Sequence, residues 1–182
     1  MKQFILIICL GVAFVSCNNA STTSTGTDST GTTVKSADEP KLPFPLQQPY
    51  RNWQMNSSDN AVAAMAGLKT FVDKDFAGLA AAIGDSVEFH FDYYAATLSR
   101  DSAVKMLTAQ RAMYTDLVIT MYDYESVISA DKKDEWVTMW YKQTWKNDKG
   151  VADSLAVTDD CKMKNGKMIE LDERSQHYPV KK

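Results

Sequence analysis

The sequence predicts an α+β domain in which three amino-terminal helices cover one face of an antiparallel sheet. Three observations lead there. Apolar residues recur at helical spacing from about residue 58 to residue 83, and the period then drops to two across Val87 to Phe91. After one more helical stretch, the chain holds only long alternating segments separated by turn residues. Long antiparallel strands must bury a common face, and the early helices are the only layer available to cover it.

Ser57, Ser58 and Asp59 offer side-chain oxygens to the orphan amides of a first helix over 58–72, whose stripe is Ala61, Met65, Leu68 and Val72. Asp73, Lys74 and Asp75 interrupt it. Asp75 then caps a second short helix carrying Phe76, Leu79, Ala80 and Ile83, with Gly84 expected to end it in a left-handed conformation. Val87 to Asp92 alternates as a half-buried strand, and Ala95 to Leu98 extends or returns it. Ser99 caps a third helix from Arg100 to about Tyr114. Strands follow over 117–129, 135–146, 152–164 and 167–177, and Asn165 with Gly166 suits a type I′ hairpin because both central residues need positive φ.

Ahead of this unit, residues 1–16 have the form of an export signal: Lys2, an apolar run from Phe4, and small residues before Cys17. The run is too short for a comfortable span, which needs about 20 apolar residues. Phe14, Val15, Ser16 and Cys17 resemble the bacterial lipoprotein box, although Phe14 stands where an aliphatic residue is usual. The resemblance implies that Cys17 carries the lipid and becomes the new amino terminus, while an ordinary secretion signal remains the alternative. Residues 17–54 then form a tether, rich in Ser, Thr and Gly at first and stiffened later by Pro43 and Pro45. Its Leu42, Phe44, Leu46 and Trp53 are expected against the domain, which occupies residues 55–182.

The order helix, helix, strand, helix and long antiparallel strands resembles the nuclear transport factor 2-like (NTF2-like) superfamily, in its SnoaL-like branch. The residues that carry the likeness are Phe71 to Phe76, Asp85 to His90, and Asn165 to Glu170. The resemblance implies a cone-shaped fold, a curved sheet wrapped around helices, a pocket at the wide end, and a homodimer. It also implies a catalytic base near His90, as in ketosteroid isomerase-like members. The helix-one Tyr of those members falls at about Leu68, and the partner acid near Ala156, which cannot donate a proton. That particular chemistry is therefore not supported.

Alternation identifies which polar residues fall on apolar faces. Leu155, Val157, Asp159, Cys161 and Met163 share one side of a strand, and Ile169, Leu171, Glu173, Ser175 and His177 share one side of the next. A carboxyl group in such company has a raised pKa and can exchange protons near neutrality. A bulge at Asp159 and Asp160 would instead reverse the faces and send both to water, and this blander arrangement is the one the sequence favours. Glu88, His90 and Asp92 share a face of the first strand, and a His oriented by an acid is a candidate general base, although a surface or hydrogen-bonded His90 is the arrangement the sequence favours. The opposite face, Val87, Phe89 and Phe91, is expected to make the core. Trp136 and Trp140 face one way and Val137, Met139 and Tyr141 the other, so both sides of that strand should be partly buried, one by core or pocket and one by a partner.

A formal charge of −3 with no basic stripe argues against nucleic acid as a partner. His90 and His177 lie far apart in sequence and no CxxC spacing occurs, so neither a metal nor a cofactor is expected. Beside a purely structural dimer whose pocket is filled by its own side chains, two readings of function follow. One is a lipid-anchored domain of the cell envelope, on the periplasmic side, binding a small apolar or aromatic ligand or a partner protein through Trp136, Trp140, Tyr141 and Tyr122. The other is an acid/base enzyme, an isomerase, dehydratase or hydrolase, using His90, Asp92, Asp159 and Glu173.

Overall fold

The computed structural model describes residues 39–178. The signal segment, Cys17 and the tether up to residue 38 lie outside the described residues. Strands β1 (Gln54–Met55), β2 (Ile83–Phe91), β3 (Tyr94–Ser99), β4 (Thr115–Ile128), β5 (Glu135–Lys146), β6 (Ala152–Lys164) and β7 (Lys167–His177) form one sheet in the order β1-β4-β5-β6-β7-β2-β3. Helices α1 (Asp59–Asp73), α2 (Phe76–Ala82) and α3 (Arg100–Ala112) cover one face, and α1 touches β4, β5, β6 and β7 in turn.

Local chemistry explains most boundaries. The Asp75 carboxylate accepts from the Gly78 amide at 2.9 Å and starts α2, and the Ser99 hydroxyl accepts from the Ser102 amide at 3.4 Å at the start of α3. Helix α1 ends on Lys74 in the left-handed region, φ 63°, with its amide on the Phe71 carbonyl. Asn165 and Gly166, φ 53° and 70°, make the tight turn between β6 and β7. The segment at residue 95 returns antiparallel against β2 as β3, from Phe91↔Tyr94 to Ser86↔Ser99.

Three features depart from the sequence expectation. Gly84 does not end α2: the helix stops at Ala82, and Gly84 already lies in β2. A Cβ there would meet the Ile169 side chain at 2.9 Å, so glycine is needed for close approach of β7. Second, β2 and β7 run parallel in a sheet otherwise antiparallel. Hairpin spacing governs only sequence neighbours, whereas these strands meet from distant parts of the chain. Third, β1 was not foreseen; its two residues pair with Val127 and Ile128 at the edge of β4. Of the tether, Leu42, Leu46 and Trp53 border a groove beside Trp136, while Phe44 is 80% exposed.

The core lies between helices and sheet. It holds Val87 and Phe89 of β2, Val137, Met139 and Tyr141 of β5, and Val157, Cys161 and Met163 of β6, all fully or nearly buried. A register shift between Lys162 and Met163 turns Met168, rather than Ile169, toward this core.

Candidate functional site

Where α1 and α3 splay from the inner sheet face, the packing leaves a cavity of about 90 Å³. Its walls are apolar: Leu68 and Phe71 from α1, Leu107 from α3, Phe91 from the end of β2, Met139 from β5 and Leu171 from β7. Into these walls project Tyr141, Gln143, Asp159 and Glu173 from the sheet, with Gln110 and Tyr114 at the end of α3.

Asp159 is 4% exposed, which overturns the bulge expected at Asp159 and Asp160. The register of β6 on β5 runs unbroken from Glu135↔Met163 to Lys146↔Ala152, so alternation holds throughout. Asp159 therefore points inward beside Cys161, and Asp160 outward, where the Thr138 hydroxyl donates to it at 2.5 Å. Asp159 pairs with Glu173 of β7 directly across the ladder. The Tyr141 hydroxyl donates to Asp159 Oδ2 at 2.9 Å, and Oδ1 has no partner among the described residues.

Burial raises the Asp159 pKa well above the usual carboxylate range, and the neighbouring Glu173 charge raises it further against the opposing Tyr141 bond. Glu173 is pushed up to about 7, by burial first and then by Asp92. The Tyr141 hydroxyl and the Cys161 thiol are likewise driven up by burial and by these acids, so neither is an anion at neutral pH. A directly paired couple of carboxyls in an apolar cavity holds a proton where two exposed acids would hold none.

The other site candidates lie elsewhere. His90 is on the outer sheet face with Glu88, opposite to buried Val87 and Phe89; its Nε2 is 3.0 Å from Glu88 Oε1 and 3.8 Å from Glu170 Oε1. It does not converge with Asp159 and Glu173. Asp92, in the β2–β3 turn, is exposed and reaches Glu173 through its field alone. Trp136 lies outside, under the Lys162 ammonium at 5.6 Å, and Trp140 shares that outer face of β5. Tyr122 is 59% exposed at a β4 bulge, with its hydroxyl 3.1 Å from that of Tyr178. Of the four aromatic candidates, Tyr141 alone lines the cavity.

Two further groups shape the site. Gln143 continues the inward alternation of Val137, Met139 and Tyr141, so its place on the cavity face is already signalled by the period of the strand. Arg111 is 6% exposed, and its guanidinium donates to the carbonyls of Phe71 at 3.1 Å, of Val72 at 2.9 Å and of Tyr114 at 2.6 Å. It thereby satisfies the carboxyl end of α1 and fixes Phe71 and Tyr114, both cavity walls. Trp145 supports Tyr114 edge-on, ring centroids 5.3 Å apart.

No family model matches this chain, and no curated protein matches it. Solved structures do. An NTF2-like protein from an Exiguobacterium species aligns at TM-score 0.52 and 13% identity, over 63% of this chain and 98% of its own. The fold is NTF2-like. An epoxide hydrolase of Mycobacterium tuberculosis described as LEH-like aligns with this NTF2-like domain at TM-score 0.53 and 12% identity, over 66% of this chain and 84% of its own. Another M. tuberculosis protein, in complex with estradiol-17β-hemisuccinate, aligns at TM-score 0.52 and 12% identity, over 64% of this chain and 93% of its own.

On the outer face of the NTF2-like domain, Glu88, His90 and Glu170 bring one ligand-type atom each within 4.8 Å of one another. This set has the chemistry of a divalent-cation site but is half-exposed, and the field of Lys162 already offsets part of the charge on Glu170. Inside the cone, by contrast, the acids face apolar walls. There the arrangement can hold a small guest, and it can give or take a proton.

Proposed function

We propose that this chain is a lipid-anchored domain of the bacterial cell envelope that holds a small, mainly apolar molecule in its cone. The carrying observation is the cavity itself, whose apolar walls converge on the unpartnered Oδ1 of Asp159. Small-molecule sites have this make-up, apolar walls with a few aimed polar groups. A protein of the same fold in complex with a steroid ester supports a ligand-holding role. The lipid on Cys17 would keep the cone near a bilayer, on the periplasmic side, and pairing of two copies through the outer face bearing Trp140 accompanies this reading.

A second reading, acid/base catalysis, is favoured by one observation: Glu173 titrates near the middle of the physiological range, to about 7, beside a more strongly proton-retaining Asp159. Glu173 would take a proton and Asp159 would supply one. His90 has no part in it, since it sits on the other face of the sheet.

Methyl-labelled methionine separates occupancy from emptiness, because Met139 and Met168 both line the cavity. Small apolar solutes should shift these two methyl resonances in the wild type and not in Ala63→Leu, which fills the space. Unmoved Met139 and Met168 signals across a panel of such solutes would refute the ligand-holding role.

A further inference from the structure

We propose that the molecule held in the cone is a small organic cation, a short alkyl amine whose ammonium sits between Asp159 and Glu173. This inference rests on the ligand-holding reading and adds the chemical class of the guest. Among the described residues, two carboxyls reach the cavity and none of the side chains lining it is basic. The buried cation Arg111 spends its donors on the carbonyls of Phe71, Val72 and Tyr114. An anionic guest would therefore add a further negative charge with nothing to balance it.

A neutral guest would leave the acids to balance themselves with protons. An ammonium supplies what the site lacks, a positive charge with up to three donors, of which one fits the empty Oδ1 of Asp159 and another Glu173. The remaining walls suit a cation too. Phe71, Phe91 and Tyr114 offer aromatic rings, whose π faces attract ammonium groups, and Gln143 offers an amide oxygen. The size is limited by volume: about 90 Å³ is less than the roughly 150 Å³ that admits benzene in an apolar cavity, so the guest is a short amine.

Proton linkage follows from the groups that face the pair. From β5 come Tyr141 and the uncharged Gln143, from β6 Cys161 and the outward Asp160, from the β2–β3 turn Asp92, and from the end of α3 Tyr114 and Gln110. The walls from α1 are apolar: Ala63, Ala64, Gly67, Leu68 and Phe71. Every charge in this set is negative, so an ammonium displaces protons from the acids as it enters. Affinity should therefore rise with pH from 5.5 to 8, while the amine itself, with a pKa near that of lysine, about 10.4, stays charged.

The test is titration of the full chain with isobutylamine and, separately, with isobutanol of matching shape, read on the Met139 and Met168 methyl signals. Isobutylamine is expected to bind at least tenfold more tightly than isobutanol at pH 7.5, to gain affinity from pH 5.5 to 8, and to lose its advantage in Asp159→Asn and Glu173→Gln. Equal or tighter binding of isobutanol in the wild type overturns the cation while leaving the ligand-holding role intact. Binding of neither probe overturns both.

Discussion

Asp159 and Glu173 are direct partners across two antiparallel strands, and both side chains line the same apolar cavity. Like charges so placed repel, and burial strengthens that repulsion because little water screens it. The pair therefore keeps at least one proton into the neutral range, which gives the site its chemistry.

That proton has a consequence for stability. Glu173 has an ordinary value of 4.5 and is raised to about 7 in the fold, and Asp159 is raised as well. The folded chain thus binds more protons than the unfolded chain between these limits, so the Glu173 contribution to stability is full below about 4.5 and is lost as pH rises from there to about 7. For Glu173 alone the loss amounts to about 3 kcal/mol. Urea unfolding from pH 5 to pH 8 should show this decline, and Glu173→Gln should lessen it, leaving the share that belongs to the buried Asp159. A stability that rises over the same interval would contradict the burial of the pair.

Among the described residues, Tyr141→Phe removes the sole hydrogen-bond donor to Asp159 and leaves both of its oxygens without partners. The expected cost is about 1–3 kcal/mol of folding stability. Adding Asp159→Leu should restore part of the loss, since an apolar pair leaves nothing unsatisfied. Denaturant titrations of the two single variants and the double variant measure this, and strict additivity would deny the coupling.

Arg111→Met should be severe. It strips donors from the carbonyls of Phe71, Val72 and Tyr114 in one step. A loss of about 2–4 kcal/mol is expected, with a shift of the Met139 methyl signal because two cavity walls lose their tie. A change within 0.5 kcal/mol, roughly the scatter of ordinary surface substitutions, would show that water replaces the guanidinium freely.

The anchor is tested separately from the cone. In a bacterial host, Cys17→Ser should abolish acylation, seen as the missing lipid mass, and release the chain from membranes. Unchanged mass and membrane association would end the lipoprotein reading without touching the cavity.

Much of this was legible in the residues. The alternation at Val87, Phe89 and Phe91, the Asp75 cap and the Asn165 and Gly166 turn are local signals, and local chemistry decided them. The place of Asp159 was not. A sequence sets the period of a strand, but which face goes inward depends on an unbroken register with β5, and nothing near Asp159 announces that register. Nor could Ile169 be told from Met168, because a register irregularity beside Met163 in the β6–β7 ladder exchanges the faces of these two neighbours. His90 and the outer tryptophans drew attention through their chemistry, yet the face they share is the one turned from the cone.

Site-resolved titration by carbon-detected NMR of the Asp159 and Glu173 side-chain carboxyls is the most direct test. Glu173 should titrate at about 7, and Asp159 should keep its proton well above the ordinary carboxylate range. Titration of both groups near pH 4, as for acids in water, would contradict this.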